Sequence, residues 1–269
     1  MIHLYLVIMA FSLAFLTAIV AAMTGVGGGF LYVPLLTIVF GLDPTIAVGT
    51  SLVVIIFTTL SASVSYLKQG RVFFQSALWL IVPSVGGAVI GAALTALIPG
   101  AMVGALFAGI VGILAVKLLC PALPLGLLIA RGPSREEVCN DRFCLRVRNR
   151  IYYLHYMVWG TCAGLASGLI GIGGGVINVP ALVAAGMPVH FATATSTLVV
   201  LCTSAAGGGI HAALGQIDSS YALIFSAGAV IGGAVGAELA PRAPADILRK
   251  GTGLLYGAIA IAMVIHILP

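Results

Sequence analysis

Apolar residues occur in this chain as long unbroken blocks, not as alternating positions or narrow helical stripes. Runs at 3–24, 44–67, 74–97, 101–119, 190–214, 220–240 and 252–268 are apolar nearly throughout. About 20 consecutive apolar residues carry a helix across a bilayer. The pattern therefore predicts an all-α polytopic membrane protein, with a lipid bilayer as its surroundings. A β-barrel is disfavoured because the runs lack period-two alternation. The first run has only His3 where a signal peptide would carry Lys or Arg, and it corresponds to residues 149–170 further on. It reads as structure.

The polar punctuation repeats. Residues 25–34 read GVGGGFLYVP and residues 171–180 read GIGGGVINVP, each between two helix-like runs. Downstream, the copies stay in register at an offset of about 145. Gly41 matches Gly186, Thr50-Ser51 matches Thr195-Ser196, Tyr66 matches His211, and Gly87 and Gly91 match Gly232 and Gly236. The chain therefore divides into an N-terminal repeat (1–120), a polar connector (121–150) and a C-terminal repeat (151–269). A duplication inside a very apolar chain is a mark of secondary transporters.

Composition sharpens this picture. The chain is 61% hydrophobic and 7% charged, against about 25% charged in soluble domains. The net charge of +5 is no nucleic-acid signal, because the basic residues lie at segment ends. All twelve Lys and Arg fall in three places: Lys68 and Arg71; Lys117 through Arg150; and Arg242, Arg249 and Lys250. The positive-inside rule puts all three on the cytoplasmic side. That requires 151–187 to enter and leave on one side, as a re-entrant helix–break–helix hairpin. The equivalent hairpin, 3–41, then enters from the opposite face. Each repeat has one such hairpin plus three transmembrane helices, and the odd number of crossings inverts the two repeats. The alternative is eight crossings with parallel repeats, which leaves Arg242, Arg249 and Lys250 outside. Cys139 and Cys144, in the connector, read as free thiols, since their spacing completes no tetrahedral metal site.

Three consecutive glycines exceed what helix packing needs, so Gly27-Gly28-Gly29 and Gly173-Gly174-Gly175 are candidate binding residues. Backbone freed at membrane depth is tolerated only inside protein or along a wet cavity. Short helices starting at the breaks, at about 30–41 and 176–186, would aim unpaired N–H groups and positive dipole ends at an anion. The spans hold almost no carboxylate to bind a cation; Asp43 and Asp218 are at ends, and Glu238 can pair with Arg242. The spacing of Gly87/Gly91 and Gly232/Gly236 reads instead as close helix packing, and a homodimer through those faces is possible.

The duplicated G-[VI]-G-G-G-x-[LI]-x-V-P motif and the A-x-x-T-S stretches after it resemble the sulfite exporter TauE/SafE family of membrane transporters. The resemblance covers essentially the whole chain. It implies movement of a small sulfur-containing anion, of sulfonate, sulfoacetate or sulfite type, across the bacterial inner membrane; it does not fix the direction, for which export is the expectation here. A small-anion channel built on the same breaks is the alternative. No catalytic dyad, metal motif or phosphate-binding loop stands out, so neither an enzyme nor a cofactor is expected.

Further candidates lie near the breaks. Tyr32 and Asn178 occupy equivalent places before Pro34 and Pro180, and both can donate to an anion oxygen. Thr50, Ser51, Thr195 and Ser196 can offer hydroxyls from two equivalent spans, or simply bond to backbone. His211 can carry a proton or serve in packing.

Overall fold

The computed structural model describes residues 2–119, 150–242 and 245–267. Its helices are α1 (Ile2–Thr24), α2 (Gly29–Pro34, continued by a π turn at Leu35–Val39), α3 (Pro44–Lys68), α4 (Phe74–Thr95), α5 (Gly100–Leu119), α6 (Arg150–Ile170), α7 (Gly175–Ala184), α8 (Val189–Ala213), α9 (Ser219–Leu239) and α10 (Ala245–Ile267). Among the described residues, five helices are long and apolar enough to cross a membrane. Large apolar side chains point outward: Leu97 is 81% exposed and Leu223 76%. The interior is instead rich in alanine, glycine, serine and threonine. This is the inverse of a water-soluble protein. Lipid covers the apolar exterior, and close packing and hydrogen bonds hold the interior. The chain is an all-α membrane protein, as its apolar runs predict.

Local chemistry starts the spans. Asp43 caps α3, its Oδ1 accepting from Thr45 N at 2.9 Å, with Pro44 in the first turn. Asp218 caps α9, accepting from Ser220 N and Tyr221 N. Both acids satisfy helix N–H groups that have no intrahelical partner. The final helix begins at Ala245, seven residues before the apolar run predicted at 252–268, and takes Arg249 and Lys250 into its first turns.

The small-residue positions bring backbones together. A Cβ on Gly87 or Gly91 would strike Thr161 O or Leu165 O of α6, and one on Gly164 or Gly168 would strike Ser84 O or Ala88 O of α4. Residue numbers rise together along this pair, so α4 and α6 run parallel. The pairing of α1 with α9 repeats it, with Gly228, Gly232 and Gly236 against Phe11, Phe15 and Ile19. The faces offered for a homodimer are therefore occupied within the chain. The repeats interlock, each lending its fourth helix to the other's first.

α3 and α8 cross at the centre of the molecule. Gly49 lies against His211 and Gln216, and Leu52 against Gly207 and Gly208. Numbers rise on one helix and fall on the other, so these equivalent helices are antiparallel. α5 and α10 are antiparallel too, with Gly112 beside Ala260 and Gly257 beside Ala115. α6 and α7 fold as a hairpin, with His155 Nε2 3.2 Å from Ala181 O and Gly174 packed on Ala163.

One expected pairing is not made. Glu238 and Arg242 are both exposed, and no ion pair forms among the described residues. At an exposed helix end such a pair gains too little to hold two long side chains together. The connector at 121–150, with Cys139 and Cys144, lies outside the described residues save for Arg150, which opens α6.

Candidate functional site

Both glycine motifs leave the helix through positive φ. Gly25, Gly27 and Gly28 stand at 71°, 90° and 91°, and Gly171, Gly173 and Gly174 at 71°, 85° and 78°. Only glycine takes that backbone without steric cost, so residues 25–28 and 171–174 cannot continue α1 and α6. The two breaks pass each other antiparallel in van der Waals contact. A Cβ on Gly29 would collide with Gly171 O, and one on Gly175 with Gly25 O. At the crossing, Gly27 and Gly173 both face Ile55 and Val200, which sit near the middle of α3 and α8. Residues 25–30 and 171–176 are all buried. The breaks thus lie at mid-span and are closed off from solvent in this conformation.

Helical runs leave the crossing on both sides. Gly28 O accepts from Leu31 N and Tyr32 N; Gly174 O accepts from Ile177 N and Asn178 N. The amides of Gly29, Phe30, Gly175 and Val176 precede these donors and have no intrahelical acceptor. Positive dipole ends therefore converge on the centre from two directions. Among the described residues, Lys68, Arg71 and Arg242 are at helix ends, as are Asp43, Asp218 and Glu238. The polarity of the centre is dipolar rather than ionic.

The hydroxyls fall into two classes. Ser51 Oγ donates to Val48 O and reaches Gly171 O at 3.2 Å; Ser196 Oγ donates to Gly25 O at 2.9 Å. These equivalent serines latch the opposite repeat's break. Thr50 and Thr195 do something else. Thr50 Oγ1 accepts from Asp218 N, and Thr195 Oγ1 from Phe73 N, both at 3.0 Å. They satisfy the turns that open α9 and α4, a bond that Ser51 and Ser196 do not make. Thr50→Val and Thr195→Val should each cost about 1 kcal/mol of stability and leave transport by the folded fraction intact. Thermal denaturation and flux measured on the same preparation check this. Normal stability with lost flux would return them to the site.

His211 bonds to the helix that leads into a break. Its Nε2 donates to Gly168 O at 2.9 Å, and its Nδ1 lies 2.7 Å from the Gln216 side-chain amide. Tyr66, its equivalent, donates from Oη to Ala22 O at 2.7 Å. Ala22 and Gly168 correspond in the repeat. Tyrosine and histidine thus make the same connection, each tying a span to the last turn of the helix before a break.

Tyr32 and Asn178 diverge. Tyr32 is buried, its ring lies over Gly28, and its hydroxyl is 3.0 Å from Thr58 Oγ1. Phe225 flanks the ring edge-on, and Phe40 and Tyr221 extend the cluster. The residues matching Tyr32, Phe40, Tyr221 and Phe225 are Asn178, Ala185, Ser76 and Leu80. Both amide atoms of Asn178 are buried without a hydrogen-bond partner, as is Ser76 Oγ. An unmet buried amide is expensive, and its presence beside a break is the strongest local sign of a ligand. Ile55, Val200, Thr58 and Ser76 were not among the sequence candidates. Offset matching could have paired Ile55 with Val200, but nothing marks them within apolar runs.

Residues 10–263 match the family model described as Sulfite exporter TauE/SafE. The chain belongs to this family. This TauE/SafE member is 30% identical over 242 residues to the probable membrane transporter protein YunE of Bacillus subtilis (strain 168), covering 84% of this chain and 86% of the relative. It is 30% identical over 249 residues to a probable membrane transporter protein of Xylella fastidiosa (strain 9a5c), covering 89% and 88%. A shorter match, 31% over 101 residues, reaches the Sulfite exporter TauE/SafE family protein 6 of Arabidopsis thaliana, covering 37% of this chain and 24% of the relative. No solved structure matches the chain. Membership makes this a membrane transporter, in keeping with breaks buried at mid-span.

Proposed function

We propose that this protein is a secondary transporter that exports a small sulfur-containing anion across the bacterial inner membrane, binding it between the two glycine breaks. The observation that carries this reading is the antiparallel crossing of two buried breaks beside the unpartnered Asn178 amide. Freed amides and helix N-termini supply positive potential without a countercharge. An anion held there can be released again, because among the described residues no buried Lys or Arg traps it.

The repeats are inverted in this reading. Support comes from α3 and α8, which are equivalent, antiparallel and both long enough to span. Two equivalent spans pointing in opposite directions need a twofold axis in the membrane plane. Each hairpin then enters and returns on one face. Lys68, Arg71 and Arg242 share one end, where Gln69 Nε2 donates to Ala237 O at 3.2 Å. Positive-inside places that end, and the central connector, in the cytoplasm. Alternating access rocks the repeats about the α3–α8 crossing. Flow down the anion gradient, or coupling to protons, supplies the driving force. The closed centre favours a carrier over the small-anion channel.

A ligand panel on purified protein tests this function. Sulfite, sulfoacetate, isethionate, taurine, thiosulfate and sulfate are compared with a carboxylate control by thermal shift and calorimetry. Selective stabilisation by sulfur anions is expected. Equal response to the carboxylate, or none to any sulfur compound, overturns the substrate class.

A further inference from the structure

The pseudo-twofold is broken at one place in the centre, and the break in symmetry has a chemical direction. In the N-terminal half, the Tyr32 phenol fills the space above Gly28 and closes it by bonding to Thr58. In the C-terminal half, Asn178 stands where Tyr32 would be, and is shorter by most of a ring. A Cβ on Gly174 would meet Ala163 O at 2.9 Å, so the α6 backbone, not the Asn178 side chain, lies nearest that glycine. The residue matching Thr58 is Thr203, whose Oγ1 turns back to Val199 O at 2.8 Å. No side chain bridges Asn178 to it.

Asn178 is fully buried, and both of its amide atoms lack partners. It is the fourth residue of α7, and helix side chains lean toward the N-terminus, so the amide lies over the first turn. There the unpaired amides of Gly175 and Val176 sit at the positive end of a ten-residue helix. An asparagine presents two donors on nitrogen and an acceptor on oxygen. A bare oxyanion answers only the donors and leaves Oδ1 unmet. A ligand that satisfies the residue must bring both an oxyanion and an N–H or O–H group.

Charge narrows the class further. Among the described residues no Lys or Arg approaches the breaks, and His211 is committed to Gly168 and Gln216. Burying charge without a counter-ion is costly, and the cost climbs steeply from one charge to two. Dipoles and one amide can hold a single negative charge far better than two.

We infer that the C-terminal half holds the recognition pocket, and that its ligand is a sulfur oxyanion of single charge carrying its own hydrogen-bond donor. Asn178 Nδ2 donates to the oxyanion and Asn178 Oδ1 accepts from the donor. Bisulfite and hydroxyalkanesulfonates fit this description; sulfate, thiosulfate and sulfoacetate, as dianions, do not. This inference rests on the transporter reading above and names the substrate class within it.

Calorimetry on the intact protein tests it with isethionate, methanesulfonate, sulfoacetate and sulfate. Isethionate should bind about tenfold tighter than methanesulfonate, which has the same charge and no donor, as one hydrogen bond to the amide allows. Both dianions should bind more weakly still. In Asn178→Leu, near in size and without polar atoms, both sulfonates should bind more weakly, because each loses the Nδ2 donor, and the preference for isethionate should vanish. Sulfoacetate or sulfate binding as tightly as isethionate overturns the inference, and so does equal binding of isethionate and methanesulfonate. These comparisons need no variant, so they stand even if Asn178→Leu folds poorly. Either result still leaves a sulfur-anion transporter with a differently built pocket. Only failure of every sulfur anion to bind also removes the sulfur-anion substrate class proposed above.

Discussion

Gly29→Ala and Gly175→Ala should each sharply reduce the yield and thermal stability of folded protein. The added Cβ of either residue meets backbone of the opposite break: Gly171 O and Ile172 for Gly29, Gly25 O and Val26 for Gly175. Backbone cannot rotate away as a side chain can, so the breaks must separate. Forced overpacking costs about 1–3 kcal/mol and sometimes more, and here it falls where two repeats join. The control is Gly209→Ala. Gly209 is exposed on α8 with open space beside it, so alanine there should be neutral or stabilise by up to about 1 kcal/mol. Thermal unfolding in detergent or lipid compares all three. Wild-type stability in Gly29→Ala would mean that the breaks do not touch.

The second large effect is all-or-none. In a protein whose native cysteines are replaced, a cysteine at Ser219 should react with an impermeant thiol reagent only from the periplasm. One at Lys68 should react only from the cytoplasm. Both positions are exposed. Lys68 ends α3 beside the end of α9, where Gln69 bonds to Ala237 O. Ser219 starts α9 next to Asp218, whose amide bonds to Thr50 near the other end of α3. The full length of α3 separates the two sites. Labelling of both from one side would defeat the inverted topology.

Much of this architecture is legible in the sequence, because the forces that set it are local or repeated. A glycine triplet alone does not break a membrane helix, since Gly207-Gly208-Gly209 lies within α8, but the whole G-x-G-G-G passage ending in Val-Pro occurs twice, so the breaks and their two-part plan are visible at once. The repeat offset carries over to structure bond by bond: Ser51 and Ser196, Thr50 and Thr195, and Tyr66 and His211 each make equivalent bonds. What those bonds are for is not visible. Thr50 meets an amide 168 residues away and Thr195 one 122 residues away, and a backbone N–H leaves no mark in a sequence. Histidine suggests a proton carrier, and the bond to Gly168 O that it shares in kind with Tyr66 and Ala22 O is not visible in the sequence. Ile55 and Val200 escape notice because apolar runs conceal which apolar residue is central. Asn178 was legible as a polar residue in an apolar stretch, and only its unmet amide separates it from Tyr32.

The central claim is that a sulfur anion lies where the two breaks cross. The most direct measurement is an experimentally determined structure of the protein with the most strongly stabilising anion of the panel bound. The account predicts density between Gly27–Gly28 and Gly173–Gly174 at the level of Ile55 and Val200, displaced toward Asn178 and away from Tyr32. Ligand density elsewhere, with the breaks still packed on each other and the Asn178 amide still unmet, would contradict it.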